Sequence, residues 1–434
     1  MVDAAGLFLI ALIVNLCAAY LLQRHVKLGS LSGDEHEYWN IATALRHIGF
    51  NGVPARRTLP YPLFIAIVRS VVGDDPFRVQ LILSAVLSAI PAVVYGIVVR
   101  QVDNVPLGRV AGIATALWPP FVSYGASLFS DSFGLLAFLI FLLGVPSPRR
   151  PANSSMRFAL QWGLAGALLG FAIQTKPQYL LYIPFVPVIA TAITTTIRRG
   201  FAASSAMILG CALALLPWAT YISHREGHLI LVSANGGETI AGGLNPALMT
   251  MSRPVEYVTP EGRETWFGPG KWLLPSETGY LSTAELALPY VQMSELLGQR
   301  ARRWIFTHPR DVAYLSARKL LYMWGIYPFW NGWAQTLFGN VPLLGLLALA
   351  IAGLSSHRAE WRGLAVFWTL PIFCSGVALA SWGSWRFRMP ADVAIFVLAA
   401  LSGQRMIARL RARSQNGPRK DAEPRIAHAQ TTIM

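Results

Sequence analysis

"AAGLFLIALIVNLCAAYLL", residues 4–22, is followed closely by "SGDEHEYWNIATALRHIGF", residues 32–50. The first stretch holds no charged residue and approaches the ~20 residues that cross a hydrocarbon core. The second sets three carboxylates, Asp34, Glu35 and Glu37, within four positions beside it. The rest of the chain repeats the first pattern. Of its 434 residues, 54% are hydrophobic and only 13% are charged, where a soluble domain carries about 25% charged residues. A water-soluble fold has no room to hide that much apolar surface. Apolar runs predict spans near 4–22, 79–99, 108–124, 128–145, 158–175, 179–197, 201–222, 335–354, 363–380 and 389–406. Trp118-Pro119-Pro120 interrupts the third of these ten and Asp131 enters the fourth. The first span lacks a small-residue cleavage site and is expected to stay attached.

Basic residues in short loops set the orientation. With the N-terminus inside, Arg100, Arg109, Arg149, Arg150, Arg157, Arg198, Arg199, Arg358 and Arg362 all face the cytoplasm, as does the tail after residue 406. Much of the net charge of +15 is thereby topological, with the tail attracted to anionic lipid headgroups. Nothing resembles a nucleic-acid recognition module. Cys17, Cys211 and Cys374 all fall within predicted spans, which excludes a disulfide framework in an outer loop. Two polar regions then lie outside the cytoplasm, a first loop at 24–78 and a large loop at 223–334. No two-halves repeat of the transporter kind is evident.

Tyr38, Ile41, Ala42, Leu45 and Ile48 recur at helical spacing, so residues 34–48 should form an amphipathic helix at the outer membrane surface. Ser32 with Glu35, or Asp34 with Glu37, fits a capping box at its start. Capping explains part of the acidity. Asp34, however, lies on the line of Tyr38, Ile41 and Leu45, where an ionised group needs a reason to be.

Several motifs in order carry a resemblance. "GDEHEYWNIA", "RTLPYPLFIAIVRSVVG", "SLFSDSFGLLAFLIFLL", "GALLGFAIQTKPQYLL", "LPWATYISHREGHLILVSANGGETIAGGLNP", "RRWIFTHPRDVAYLSARKLLYMW" and "WRFRMP" follow one another from the first loop to the last span. Together the chain resembles the bacterial dolichyl-phosphate-mannose protein mannosyltransferase-like family, of the GT-C class of membrane glycosyltransferases. Lipid A aminoarabinose transferases and core galacturonosyltransferases are relatives of that family. The resemblance implies an all-α polytopic fold of GT-C type, with about ten transmembrane helices, amphipathic juxtamembrane helices and a long outer loop. Residues 1–406 would be one membrane-embedded glycosyltransferase domain, and 407–434 a basic, disordered cytoplasmic tail.

It also implies an inner-membrane enzyme that takes a sugar from a polyprenyl-phosphate donor at the extracytoplasmic face. The acceptor would be lipid A or lipopolysaccharide, another glycolipid or a protein hydroxyl. A phosphate leaving group is already anionic, so the site needs one base for the acceptor hydroxyl and cations for the phosphate. By resemblance Asp34 is the base or acceptor-orienting carboxylate, and Glu35 is its partner, orienting substrate or the helix. Asp131 would line the same cavity, or else be a helix N-terminal carboxylate favoured by the macrodipole. Lys176, ahead of Pro177, reaches headgroup level for phosphate contact or by snorkelling. Arg386 and Arg388 leave open which of the two faces the phosphate, and Arg56 and Arg57 are weaker candidates. Arginine matches phosphate oxygens bidentately. His36 has no second histidine at ligand spacing, so no metal site is assigned, although some enzymes of the class use a divalent cation. The alternative reading is an O-antigen polymerase or ligase acting on polyprenyl-diphosphate glycans through arginine and histidine of the large loop.

Overall fold

The computed structural model describes residues 3–415 other than 23, 25–30, 32, 150–153, 195, 251–254, 259–263, 267–280, 326–340, 358 and 359. The fold is that of an all-α polytopic membrane protein, with one short antiparallel hairpin, β1 (Val255–Val258) and β2 (Glu264–Trp266), in the large loop. Prolines set many of the helix starts. Pro60, Pro76, Pro91, Pro106 and Pro119 each stand in a helix's first turn, where the missing N–H has no intrahelical acceptor to lose.

The helices run α1 (Ala4–Leu21), α2 (Asp34–Ile48), α3 (Pro60–Val72), α4 (Pro76–Leu87), α5 (Ile90–Val102), α6 (Val105–Leu117), α7 (Pro119–Gly125), α8 (Ser130–Gly144) and α9 (Ser155–Thr175). A 3₁₀ segment, Pro177–Phe185, leads into α10 (Val186–Thr194) and α11 (Ile197–Glu226). The large loop carries α12 (Gly236–Gly243), α13 (Tyr290–Thr307) and α14 (Pro309–Met323) besides single turns. Three apolar helices close the chain, α15 (Val341–Ser356), α16 (Ala365–Ala380) and α17 (Met389–Gln415).

Among the described residues, six helical stretches are long and apolar enough to cross a membrane: Ala4–Leu21, Pro76–Val102, Ser155–Thr175, Pro177–Thr194, Ile197–Glu226 and Arg386–Ala412. They coincide with six of the ten expected ranges. Residues 108–124 and 128–145 divide differently, because the Trp118-Pro119 junction ends α6 and a bend of 111° separates α7 from α8. Counted together, α7 and α8 make a seventh candidate. The expected spans at 335–354 and 363–380 hold α15 and α16, each 16 residues, or about 24 Å against a core of about 30 Å. Residues 335–340 lie outside those described. The tail expected from 407 begins later, since α17 continues to Gln415; 416–434 also lie outside.

Helix α2 buries Glu35, Tyr38, Ile41, Ala42 and Leu45, as the spacing predicts, while Ile48 is exposed. Gly33 is the N-cap, at φ 51°, with no side-chain cap hydrogen bond, so the Asp34–Glu37 capping box is not formed. Ser32 lies outside the described residues. Helix α3 fixes how α2 lies. The Arg69 guanidinium sits 3.9 Å from the Trp39 ring centroid and donates to the Trp39 carbonyl at 2.9 Å and to the Thr43 hydroxyl at 2.8 Å.

Small residues bring α9 and α11 together, as in other membrane helix pairs. A Cβ on Gly166 would stand 1.9 Å from the Met207 carbonyl oxygen, and one on Gly210 2.0 Å from that of Gly163. At Gly163 the nearest such atom is 3.8 Å away. Gly166→Ala and Gly210→Ala should each destabilise the protein by about 1–3 kcal/mol through forced overpacking, with Gly163→Ala near neutral. Thermal unfolding in detergent reads this out, and equal midpoints for the three variants would contradict the close crossing.

Candidate active site

Five separate segments deliver charged side chains to one place. Helix α2 brings Asp34 and Glu37 on its first turn, three residues apart and therefore on one side. The connection between α2 and α3 brings Arg56 and Arg57. Asp131 stands in the first turn of α8, just past the bend, and Lys176 caps the end of α9. The 3₁₀ turn Trp385–Arg388 brings Arg386.

These seven groups form one alternating chain of cations and carboxylates. Arg56 meets Glu37 at 2.8 Å, and Glu37 also pairs closely with Arg57. Arg57 holds one oxygen of Asp34 at 2.9 Å, and Arg386 faces the other at 3.4 Å. Arg386 also stands 3.9 Å from Asp131, whose second oxygen lies 2.8 Å from Lys176 Nζ. Lys176 and Arg386 both lie against the Phe387 ring, at 5.8 and 5.0 Å from its centroid. Two hydroxyls stitch the chain across. Lys176 Nζ donates to Ser130 Oγ at 3.2 Å, Ser130 shares a hydrogen bond of 3.0 Å with the Tyr38 hydroxyl, and Arg57 donates to that hydroxyl at 3.3 Å.

Burial and charge oppose each other at Asp34. Burial disfavours its ionised form, but Arg386, Arg57 and Lys176 outweigh it and hold the carboxyl well below the usual carboxylate range. Asp34 is therefore a carboxylate at any physiological pH. Among the described residues no group of three or more His, Cys, Asp and Glu could hold a metal ion. Asp34 and Asp131 point their oxygens at guanidinium and ammonium groups, and exposed His36 lies 3.4 Å from Asn40 Nδ2. That donor set does not suit a divalent cation.

Two of the expected site residues are placed elsewhere. Glu35 is fully buried and its Oε1 accepts the Leu128 N–H at 2.9 Å, tying α2 to the bend that precedes α8. It supports the placement of Asp131 without joining the chain of charges. Arg388 turns away from Arg386: its Nε pairs with buried Asp392 at 2.7 Å and it donates to the Met323 carbonyl at 2.5 Å. Asp392 in turn accepts from Trp118 Nε1 at 3.0 Å. Two residues along a turn do not share a direction, which separates the two arginines. Glu37, Tyr38 and Ser130 are the members that sequence reasoning passed over. Helical spacing from Asp34 was the available signal for Glu37 and Tyr38, and adjacency to Asp131 for Ser130.

No family model matches this chain, and no curated protein matches it. Among solved structures it is similar to the crystal structure of ArnT from Cupriavidus metallidurans bound to undecaprenyl phosphate, at 15% identity. The alignment covers 95% of this chain and 80% of that one, with a TM-score of 0.43. So loose an overlap transfers no residue's role, and the chemistry rests on the side chains themselves.

The reassignment of Arg388 is open to test. Arg388→Met leaves Asp392 as an uncompensated buried charge and should destabilise the protein by about 3–5 kcal/mol. Adding Asp392→Asn, which still accepts from Trp118, should restore more than half of that loss in thermal unfolding. A double variant no more stable than the single would contradict the Arg388–Asp392 pairing.

Proposed function

We propose that this chain is a multi-pass inner-membrane glycosyltransferase. It moves one sugar from a polyprenyl-monophosphate carrier to an envelope acceptor at the extracytoplasmic face, with a glycolipid such as lipid A or a protein hydroxyl as acceptor. One observation carries the reading: the alternating chain in which Asp34 lies between Arg57 and Arg386, with Asp131 and Lys176 beyond.

Charge counting supports this donor. Four cations, Arg56, Arg57, Lys176 and Arg386, face three carboxylates, Asp34, Glu37 and Asp131, so the chain carries one positive charge in excess. A sugar on a polyprenyl phosphate is a phosphodiester, which carries one negative charge and neutralises that excess. During transfer a bond forms between the acceptor oxygen and the sugar's anomeric carbon, while the bond from that carbon to the phosphate oxygen breaks. The electron pair goes to the phosphate, which becomes a monoester of higher charge beside Lys176 and Arg386. The acceptor proton goes to Asp34. The site gains one positive charge as the carrier gains one negative charge.

Phosphate oxygens compete with Asp34 and Asp131 for Arg386 and Lys176. As Asp34 loses a cationic partner its basicity rises toward the ordinary carboxylate range, so donor binding prepares the base. A positioned base contributes about 10²–10⁴-fold, and electrostatic stabilisation of the departing phosphate in a water-poor site is the larger effect. The basic short loops support an orientation in which the carboxylates face the extracytoplasmic side, where carrier-linked sugars are presented.

Asp34→Asn separates base from binder. Transfer should fall at least about 100-fold, while affinity for polyprenyl monophosphate stays equal or rises, because a competing carboxylate has gone. Purified variant protein with radiolabelled donor and a lipid-binding assay measures both. Full transfer activity would remove Asp34 as base, and weaker carrier binding would contradict the exchange.

A further inference from the structure

Arg386 reaches the centre of the charge chain from a short connection, Ser381–Arg388, between α16 and α17. Helix α14 of the large outer loop grips that connection at both ends. At its start, Lys319 is fully buried and its Nζ donates to the carbonyls of Leu379 at 2.9 Å and Ser381 at 3.0 Å, closing the end of α16. At its finish, Arg388 donates to the Met323 carbonyl, one turn further along α14.

Glycines make the approach close. A Cβ on Gly383 would stand 2.2 Å from the Lys319 carbonyl oxygen, and one on Gly243, at the end of α12, 1.9 Å from that of Ser381. The acceptors of Lys319 are backbone carbonyls in the last turn of α16 and at the start of the connection that presents Arg386. Burial pushes the Lys319 ammonium down to about 7, yet the neutral amine keeps two N–H groups, one for each carbonyl. The grip therefore does not depend on the charge.

We propose that Lys319 is a positioning residue for the donor phosphate, holding Arg386 at its place in the site through the Leu379 and Ser381 carbonyls. The large outer loop thus sets the geometry of a phosphate-binding arginine that it does not itself contain. This rests on the reading of Arg386 as a donor ligand. The C-terminal ends of α12 and α14 become part of what determines donor affinity, although neither helix contributes to the charge chain. A shift of about 1 Å in a positioned group can change rate or binding by an order of magnitude or more.

A double-mutant cycle on the purified full chain tests it, with polyprenyl monophosphate as probe. Lys319→Met should weaken carrier binding about tenfold in the native background and less than about twofold in an Arg386→Ala background, since its effect acts through Arg386. In transfer assays donor KM should rise, while acceptor KM stays unchanged. Thermal midpoints should shift equally in the two backgrounds, separating positioning from stability. Gly383→Ala, which pushes the same connection off α14, enters the same cycle, expects the same pattern and decides the matter if Lys319→Met is not recovered as folded protein. Equal weakening with and without Arg386, or native carrier affinity in these variants, overturns the proposal. Carrier binding that is absent in the native protein or indifferent to Arg386→Ala brings down the donor reading itself, and this inference with it.

Discussion

Seven charged side chains from five segments lie in a single alternating row, with a cation at each end. No member is satisfied by one neighbour alone except at those ends: Glu37 takes Arg56 and Arg57, Asp34 takes Arg57 and Arg386, and Asp131 takes Arg386 and Lys176. In a half-buried position, removing one member leaves its neighbours with an uncompensated charge, which is far more disruptive than losing an exposed ion pair. The row is therefore first of all a structural constraint. It ties the first loop, the bend ahead of α8, the end of α9 and the last connection to one another.

Much of the surrounding fold makes that row possible. Helix α2 is held by its buried apolar face and by Arg69, and its first turn presents Asp34 and Glu37 to the row. The break between α7 and α8 leaves Leu128 with an N–H for Glu35 to satisfy, and it sets Asp131 at a helix start, where the macrodipole favours a carboxylate. The helix-start and cavity-lining readings of Asp131 are compatible, since the same first turn faces Lys176 and Arg386. Arg388, Asp392 and Trp118 form a separate buried network behind the row, which anchors the connection that carries Arg386.

Legibility in the sequence followed the range of the forces involved. The long apolar helices were readable because hydrophobic runs are local, and so was the buried face of α2, because its period is local. Asp34, Asp131, Lys176, Arg386, Arg56 and Arg57 were all named as candidates, and the fold brings these six together. The count of ten spans is not confirmed: a Trp-Pro junction and a bend of 111° divide the two stretches expected at 108–124 and 128–145 into three helices. Arg388 could not be separated from Arg386 without knowing where Asp392 and the Met323 carbonyl would lie. Glu35 was paired with Asp34 through the resemblance, whereas helical geometry sends adjacent side chains apart. Lys319 offered no local signal, since its partners are carbonyls 60 and 62 residues away in sequence.

On the proposed reading, the row with its one cation in excess takes one phosphate and Asp34 serves one acceptor hydroxyl. The most direct measurement is transfer by the purified protein, in detergent or nanodiscs, offered a synthetic polyprenyl-monophosphate sugar alongside a polyprenyl-diphosphate oligosaccharide, with envelope glycolipid and protein acceptors. Mass analysis of the acceptors should find a single sugar added from the monophosphate donor, with polyprenyl monophosphate released. Consumption of the diphosphate-linked oligosaccharide, with the monophosphate donor left untouched, would contradict the account and favour a polymerase or ligase.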